Sequence, residues 1–107
     1  MTDKKQQAKR KRLIREFCAA RDNKKEREMS DYITALHTGK ARGLTGKEYA
    51  SFVERIFALF LSDLGFNNIT DAVYSKDATA SLTVFKKEMK RLLRECGVDK
   101  SHYLLKQ

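Results

Sequence analysis

Between positions 49 and 64 the apolar residues Tyr49, Phe52, Val53, Ile56, Phe57, Phe60, Leu61 and Leu64 recur at alternating steps of three and one. That rhythm lines one face of an α-helix; the buried side chains of a strand would alternate every second residue. A helix this apolar on one side must be covered by other elements, so the rest of the chain has to supply partners for it. Nothing in the remaining sequence alternates cleanly with period two. The 107 residues include no proline, and Lys, Arg, Glu, Leu and Ala, all good helix formers, are abundant. The expected fold class is therefore all-α: a compact bundle of four to five helices with a basic N-terminal arm or helical extension. This length allows one small domain, with residues 1–12 as the arm and 13–107 as a single helical domain.

The first helix is expected from about Lys5 to Asp22, with Leu13, Ile14, Phe17 and Cys18 as a short stripe. Arg10 and Arg21 share that face one turn beyond each end, so burial should cover only Leu13 to Cys18. Residues 1–10 then form a mobile arm or a solvated extension. The second helix is expected from about Lys24 to His37, carrying Met29, Tyr32, Ile33 and Leu36. Asn23 and Glu26 have the spacing of a capping box, and Gly39 is placed as the C-terminal stop. A loop spans Gly39 to Leu44.

Thr45 and Glu48 form a second capping box ahead of the central helix, with Leu44 and Tyr49 at the positions of a hydrophobic staple. Gly65 should end that helix, with Phe66 against Leu61. Asn67 to Ala78 is less regular; Ile69, Val73 and Tyr74 fit one helical turn or a packed loop. The last long helix is expected from about Thr79 to Cys96, striped by Leu82, Phe85, Met89, Leu92, Leu93 and Cys96. Gly97 should stop it, with Val98 touching Leu93, and Asp99 should cap a final turn holding Tyr103, Leu104 and Leu105.

The formal net charge of +9 is unevenly spread. Residues 1–28 hold eleven basic and five acidic side chains, 29–80 hold five and six, and 81–107 hold seven and three. The excess therefore belongs to the two ends. Lys4, Lys5, Lys9, Arg10, Lys11, Arg12 and Arg15 fall within twelve residues, with no acid between Asp3 and Glu16. In the last helix Lys87, Lys90, Arg91 and Arg94 lie away from the apolar stripe, flanked by Lys86 and interrupted only by Glu88 and Glu95. A solvated helix normally mixes signs, because like charges three or four residues apart repel by a few tenths of a kcal/mol. One-signed stretches suit a polyanion, whose condensed counterions are released as Lys and Arg neutralise its phosphates.

Base readout has slender support. Asp71 to Tyr74, a turn at Ser75 to Asp77, and the following helix are loosely laid out like a helix-turn-helix, with Thr79, Ser81 and Thr83 at the helix start. Phe52, Phe57, Phe60 and Phe85 sit at core spacing, not as stacking platforms.

Catalytic constellations are missing. The chain has no Walker-type loop, no GxGxxG and no HExxH. Gly39, Gly43 and Gly46 depart from phosphate-loop spacing, although Gly46 and Lys47 at a helix start could hold an anion through backbone donors. Glu26 with Glu28, or Asp63 with Asp71, are not placed together by any motif. His37 reads as a capping or surface residue. Cys18 and Cys96 fall at apolar positions and read as reduced core thiols, and with His37 and His102 they lack metal-ligand spacing. The chain is thus expected to be a cytoplasmic non-enzyme with no cofactor, no metal and no membrane span. A secretory signal or a mitochondrial presequence fits the Lys-rich, Asp3-bearing N-terminus poorly.

Two functions fit. The first is a small nucleic-acid-binding accessory or regulatory protein, DNA favoured over RNA, because an α-helix fits the DNA major groove and no RNA-module signature is present. The second is a helical protein-interaction module, an adaptor or inhibitor binding an acidic partner or a larger assembly. A homodimer is compatible with either.

Overall fold

The structure, a computed structural model, describes residues 3–24, 28–65 and 80–105. Among these residues there are four α-helices and no strand: α1 (Asp3–Asp22), α2 (Met29–Ala41), α3 (Gly46–Leu64) and α4 (Ala80–Glu95). A 3-10 turn, Tyr103–Leu105, follows. The radius of gyration, 13.4 Å, matches the ~13 Å of a folded chain of about 100 residues.

Side-chain contacts define the topology. Gln6 and Arg10 of α1 meet Thr45 and Glu48 at the start of α3, and Arg21 meets Asp63 at its end, so α1 and α3 run the same way. Tyr32, early in α2, reaches Asp63, and the Tyr49 hydroxyl donates to the Leu36 carbonyl at 2.9 Å, so α2 opposes α3. At the end of α4, the Cys96 carbonyl accepts the Gly46 N–H at 2.9 Å, which sets α4 antiparallel to α3. The four helices alternate up, down, up, down. α2 and α3 form the central pair; α1 rests mainly on α3, and α4 mainly on α2.

The core follows the apolar spacing. Tyr49, Phe52, Val53, Ile56, Phe57, Phe60 and Leu61 of α3 are buried, as are Leu82, Phe85, Met89, Leu92, Leu93 and Cys96. The rings of Phe60 and Phe85 stack with centroids 4.5 Å apart, and those of Phe57 and Phe85 at 5.4 Å. From α1 only Leu13 is fully buried; Ile14 and Phe17 pack on the core from its edge and Cys18 is half-buried. Leu64, expected in the stripe, is instead exposed.

Three local expectations are corrected. Gly39 does not stop α2. The helix continues through it to Ala41, and Gly43, with φ +91°, follows the Arg42 cap. Gly39 is buried against α3, where a Cβ would lie 2.6 Å from Phe52 Cε2 and 3.2 Å from Tyr49 Cε1. Its role is close helix approach. Second, α2 starts at Met29, not near Lys24, and Glu28 caps it: the Glu28 N–H donates to the Asp31 carboxylate at 3.0 Å. Third, Thr45 and Glu48 do not cap α3 reciprocally. The Gln6 amide takes Thr45, accepting its N–H and donating to its Oγ1 at 3.2 Å each, while Glu48 turns to Arg10.

The C-terminal stops are as expected. Gly65 takes φ +91° after α3. Gly97 takes φ +76° after α4, and the Val98 N–H donates to the Leu93 carbonyl at 3.0 Å, closing the six-residue loop of a Schellman motif. Asp99 accepts the Ser101 N–H at 2.8 Å and orders the final turn, which buries Leu104. The Asn23–Glu26 box, the Phe66 contact, the Asn67 to Ala78 segment and the helix-turn-helix layout lie outside the described residues.

Candidate nucleic-acid interface

The twenty residues of α1 sort their charges by face. Its inner side carries Gln6, Lys9, Arg10, Leu13, Phe17 and Arg21. Apolar contact covers only the middle of that face, and polar tethers continue it at both ends. Towards the N-terminus Lys9 Nζ donates to the Arg42 carbonyl at 2.8 Å and Arg10 Nε pairs with Glu48 at 2.8 Å. Towards the C-terminus Arg21 donates to the Tyr32 hydroxyl at 3.0 Å and to Asp63 at 2.8 Å, and Tyr32 donates to Asp63 in turn. Of the seven expected cations in this helix, Lys9 and Arg10 are therefore used internally.

The other five, Lys4, Lys5, Lys11, Arg12 and Arg15, are all exposed. At 100° per residue they occupy the outward half of α1. None of them makes an ion pair or side-chain hydrogen bond among the described residues, so their charge is directed at solvent.

The sequence left Glu88 and Glu95 scattered among the cations of α4. In the structure they share one flank, facing α2. Glu88 pairs with His37 Nε2 at 2.9 Å, and Glu95 pairs with Lys40. Arg91 lies between them and binds both, at 2.8 Å and 2.6 Å. Hydrogen bonds from Arg91 and then His37 pull the Glu88 carboxyl from its ordinary 4.5 down to about 2. Arg91, expected in the phosphate-contacting set, is thus neutralised within a five-residue network joining α2 to α4.

On the opposite flank of α4 the charged side chains of the described residues are all basic. Lys86, Lys90 and Arg94 follow one another at steps of four, with Lys87 alongside, and together with Thr83 they line a shallow depression of about 410 Å³. Four residues advance a helix by ~6 Å, so the row from Lys86 to Arg94 is ~12 Å long. Partial burial, then the nearby charges of Lys86 and Arg94, hold the Lys90 ammonium below its ordinary value. The cations are close enough to feel one another.

One contributor lies in the electrically neutral middle of the chain, where charge counting gave no hint of it. Arg55 of α3 is exposed and lines, with Lys11 and Arg15, a groove of about 770 Å³ between α1 and α3 whose floor includes Ile14 and Ala58. Its position off the α3 stripe marked it as outward-facing. Only the tertiary arrangement shows which cations it joins.

Two expectations about backbone and ligand groups also meet the geometry. The Gly46 N–H, proposed as an anion donor, is already taken by the Cys96 carbonyl. Among the described residues no three His, Cys, Asp or Glu side chains gather closely enough to hold a metal ion, and no helix is long and apolar enough to cross a membrane.

Comparison of the chain with family models, with curated proteins and with solved structures yields no match.

Proposed function

We propose that this is a small cytoplasmic nucleic-acid-binding protein of accessory or regulatory type, not an enzyme, that grips phosphates through Lys4, Lys5, Lys11, Arg12 and Arg15 of α1 and through Lys86, Lys87, Lys90 and Arg94 of α4. The observation that carries the proposal is the separation of charge on α4. Among the described residues both acids of α4 are drawn to the α2 flank, and Lys87, Lys90 and Arg94 stand on the other. Repulsion between like charges at helical spacing costs a few tenths of a kcal/mol per pair, a cost that a polyanionic partner would offset. The 12 Å row matches the axial length of three to four phosphates of one duplex strand, at ~3.4 Å each.

Such contacts position a protein on the backbone and carry no sequence information. DNA is the favoured polyanion, since the row lies along a helix of the width a major groove admits. The test is titration of labelled random-sequence duplex DNA, duplex RNA and single strands at several salt concentrations. Binding at low salt that weakens steeply with added salt is expected; absence of binding at low salt removes the proposal.

A second reading has one observation in its favour. The α1–α3 groove sets the apolar Ile14 and Ala58 among Lys11, Arg15 and Arg55, with Glu54 the one acid among the described residues of its lining, a predominantly cationic combination suited to an acidic amphipathic segment of a second protein. The neutral change Ile14→Gln separates the two: it should weaken capture of an acidic amphipathic partner and leave the binding of nucleic acid nearly unchanged.

A further inference from the structure

The two cationic surfaces belong to helices that do not pack on each other. α1 rests on α3 and, more lightly, on α2; α4 rests on α2 and, more lightly, on α3. Two helices that each seat on the same pair without comparable contact between them lie on opposite sides of that pair. They also overlap along its length, since Gln6 of α1 and Cys96 of α4 both reach the first residues of α3. On α1 the exposed cations occupy the outward half of the helix, with Lys11 and Arg15 at its edge beside α3. On α4 the Lys86–Lys90–Arg94 row lies on the flank turned away from α2. The central pair, whose own stretch of sequence is close to neutral, stands between the two surfaces.

From this arrangement we infer that a single molecule bridges two separate nucleic-acid segments, holding one on the outward face of α1 and the other on the cation row of α4. The inference rests on the nucleic-acid reading above and extends it from gripping one backbone to linking two. A rigid duplex laid along either surface has the body of the protein between it and the other surface, so the second set of cations remains available to a second segment. Each surface alone is a modest electrostatic site. Where the two segments belong to one longer nucleic acid, the second contact becomes intramolecular, and such a gain commonly reaches 10²–10⁴ in apparent affinity.

The experiment uses the full chain with one short DNA duplex fixed to beads and an identical labelled duplex free in solution. Binding of the labelled duplex alone is measured in parallel. Bridging predicts that bead capture rises with protein, passes through a maximum, and falls at excess protein, where each duplex is saturated by its own molecules. K11Q/R15Q on one side and K90Q/R94Q on the other should each keep binding to a single duplex within severalfold while reducing capture about tenfold or more. All four positions lie off the apolar stripes, and helicity and melting temperature confirm that the variants fold.

No binding of the labelled duplex overturns the nucleic-acid reading and the inference with it. Binding without capture overturns the inference alone. Capture by K90Q/R94Q equal to that of the unchanged protein also overturns it, because bridging would then come from two α1 faces in an oligomer.

Discussion

Arg10 of α1 and Glu48 of α3 are joined at 2.8 Å, with only 22% of the arginine side chain and 15% of the glutamate side chain exposed. The contact changes the meaning of both residues. Arg10 stands in a run of cations that reads as a phosphate-binding arm, and Glu48 stands where a capping box needs it. Each is used for attaching α1 to the body of the protein. With Leu13 as the only fully buried residue of α1, that attachment depends on Arg10 at one end and Arg21 at the other.

Arg10→Gln should therefore behave as a stability variant. A partly buried ion pair of this kind is worth about 1 kcal/mol, which for a domain of this size is a fall of about 4–8 °C in Tm. Affinity for duplex DNA should change by less than about twofold, a free energy below one RT. Arg15→Gln, on the outward face, should do the reverse. Thermal melts and anisotropy titrations of both variants decide the matter; an equal loss of affinity in the two would return Arg10 to the binding surface.

Gly39→Ala offers a test of opposite sign to the usual rule. In an ordinary helix interior this change gains up to about 1 kcal/mol, because alanine is the better helix former. Here the new Cβ would sit 2.6 Å and 2.8 Å from Cε2 and Cδ2 of Phe52, a ring itself buried in the core. Overpacking of this kind costs about 1–3 kcal/mol, so the variant should melt lower. An unchanged or raised Tm would mean that α2 and α3 do not approach so closely at Gly39.

The difference between what the sequence carried and what it did not is instructive at these positions. The stripes of α3 and α4 and the stops at Gly65 and Gly97 were legible because they depend on local periodicity and on positive φ. Gly39 was misread because a glycine near a helix end has two possible causes, a left-handed turn or a close neighbour, and the neighbour is Phe52, thirteen residues away. The same limit applies to charge. Counting identified the two basic ends, and helical spacing placed Arg10 and Arg21 on the packed face of α1. Their partners, Glu48 and Asp63, lie about forty residues further on. Arg91 was separable from Lys90 by spacing, since Glu88 lies three residues before it and Glu95 four after; what spacing did not show is that His37 and Lys40 of α2 hold those acids.

The Glu88 network predicts a pH dependence. Its carboxyl titrates at about 2 in the folded protein against an ordinary 4.5. A depressed folded value means that the unfolded chain takes up a proton first as the solution is acidified. The stabilisation is complete above about 4.5 and is lost as pH falls through the interval down to about 2. Glu88→Gln removes it at every pH. The Tm difference between the unchanged protein and Glu88→Gln should therefore be present at pH 6 and close towards pH 2. A gap that persists unchanged to pH 2 would mean that Glu88 stabilises the protein through packing and not through its charge.

On the proposed nucleic-acid reading, the salt dependence of binding should separate the two flanks of α4. Each phosphate neutralised on duplex DNA adds about 0.9 to the slope of log K against log salt. In a protein whose α1 surface has been removed by replacing Lys4, Lys5, Lys11, Arg12 and Arg15, replacing Lys87, Lys90 and Arg94 together by glutamine should lower the slope by about 2–3 units, whereas Arg91→Gln, whose guanidinium is held by Glu88 and Glu95, should lower it by much less than one. The same Arg91 variant should lose thermal stability, since it removes the guanidinium that ties Glu88 to Glu95, two helical turns further along α4. Each variant should thus move chiefly one of the two measurements: the triple variant the salt slope, Arg91→Gln the melting temperature. If Arg91→Gln flattens the salt slope as much per residue as the triple variant does, the acids of α4 do not withhold Arg91 from DNA, and the division of that helix into a structural flank and a binding flank is wrong.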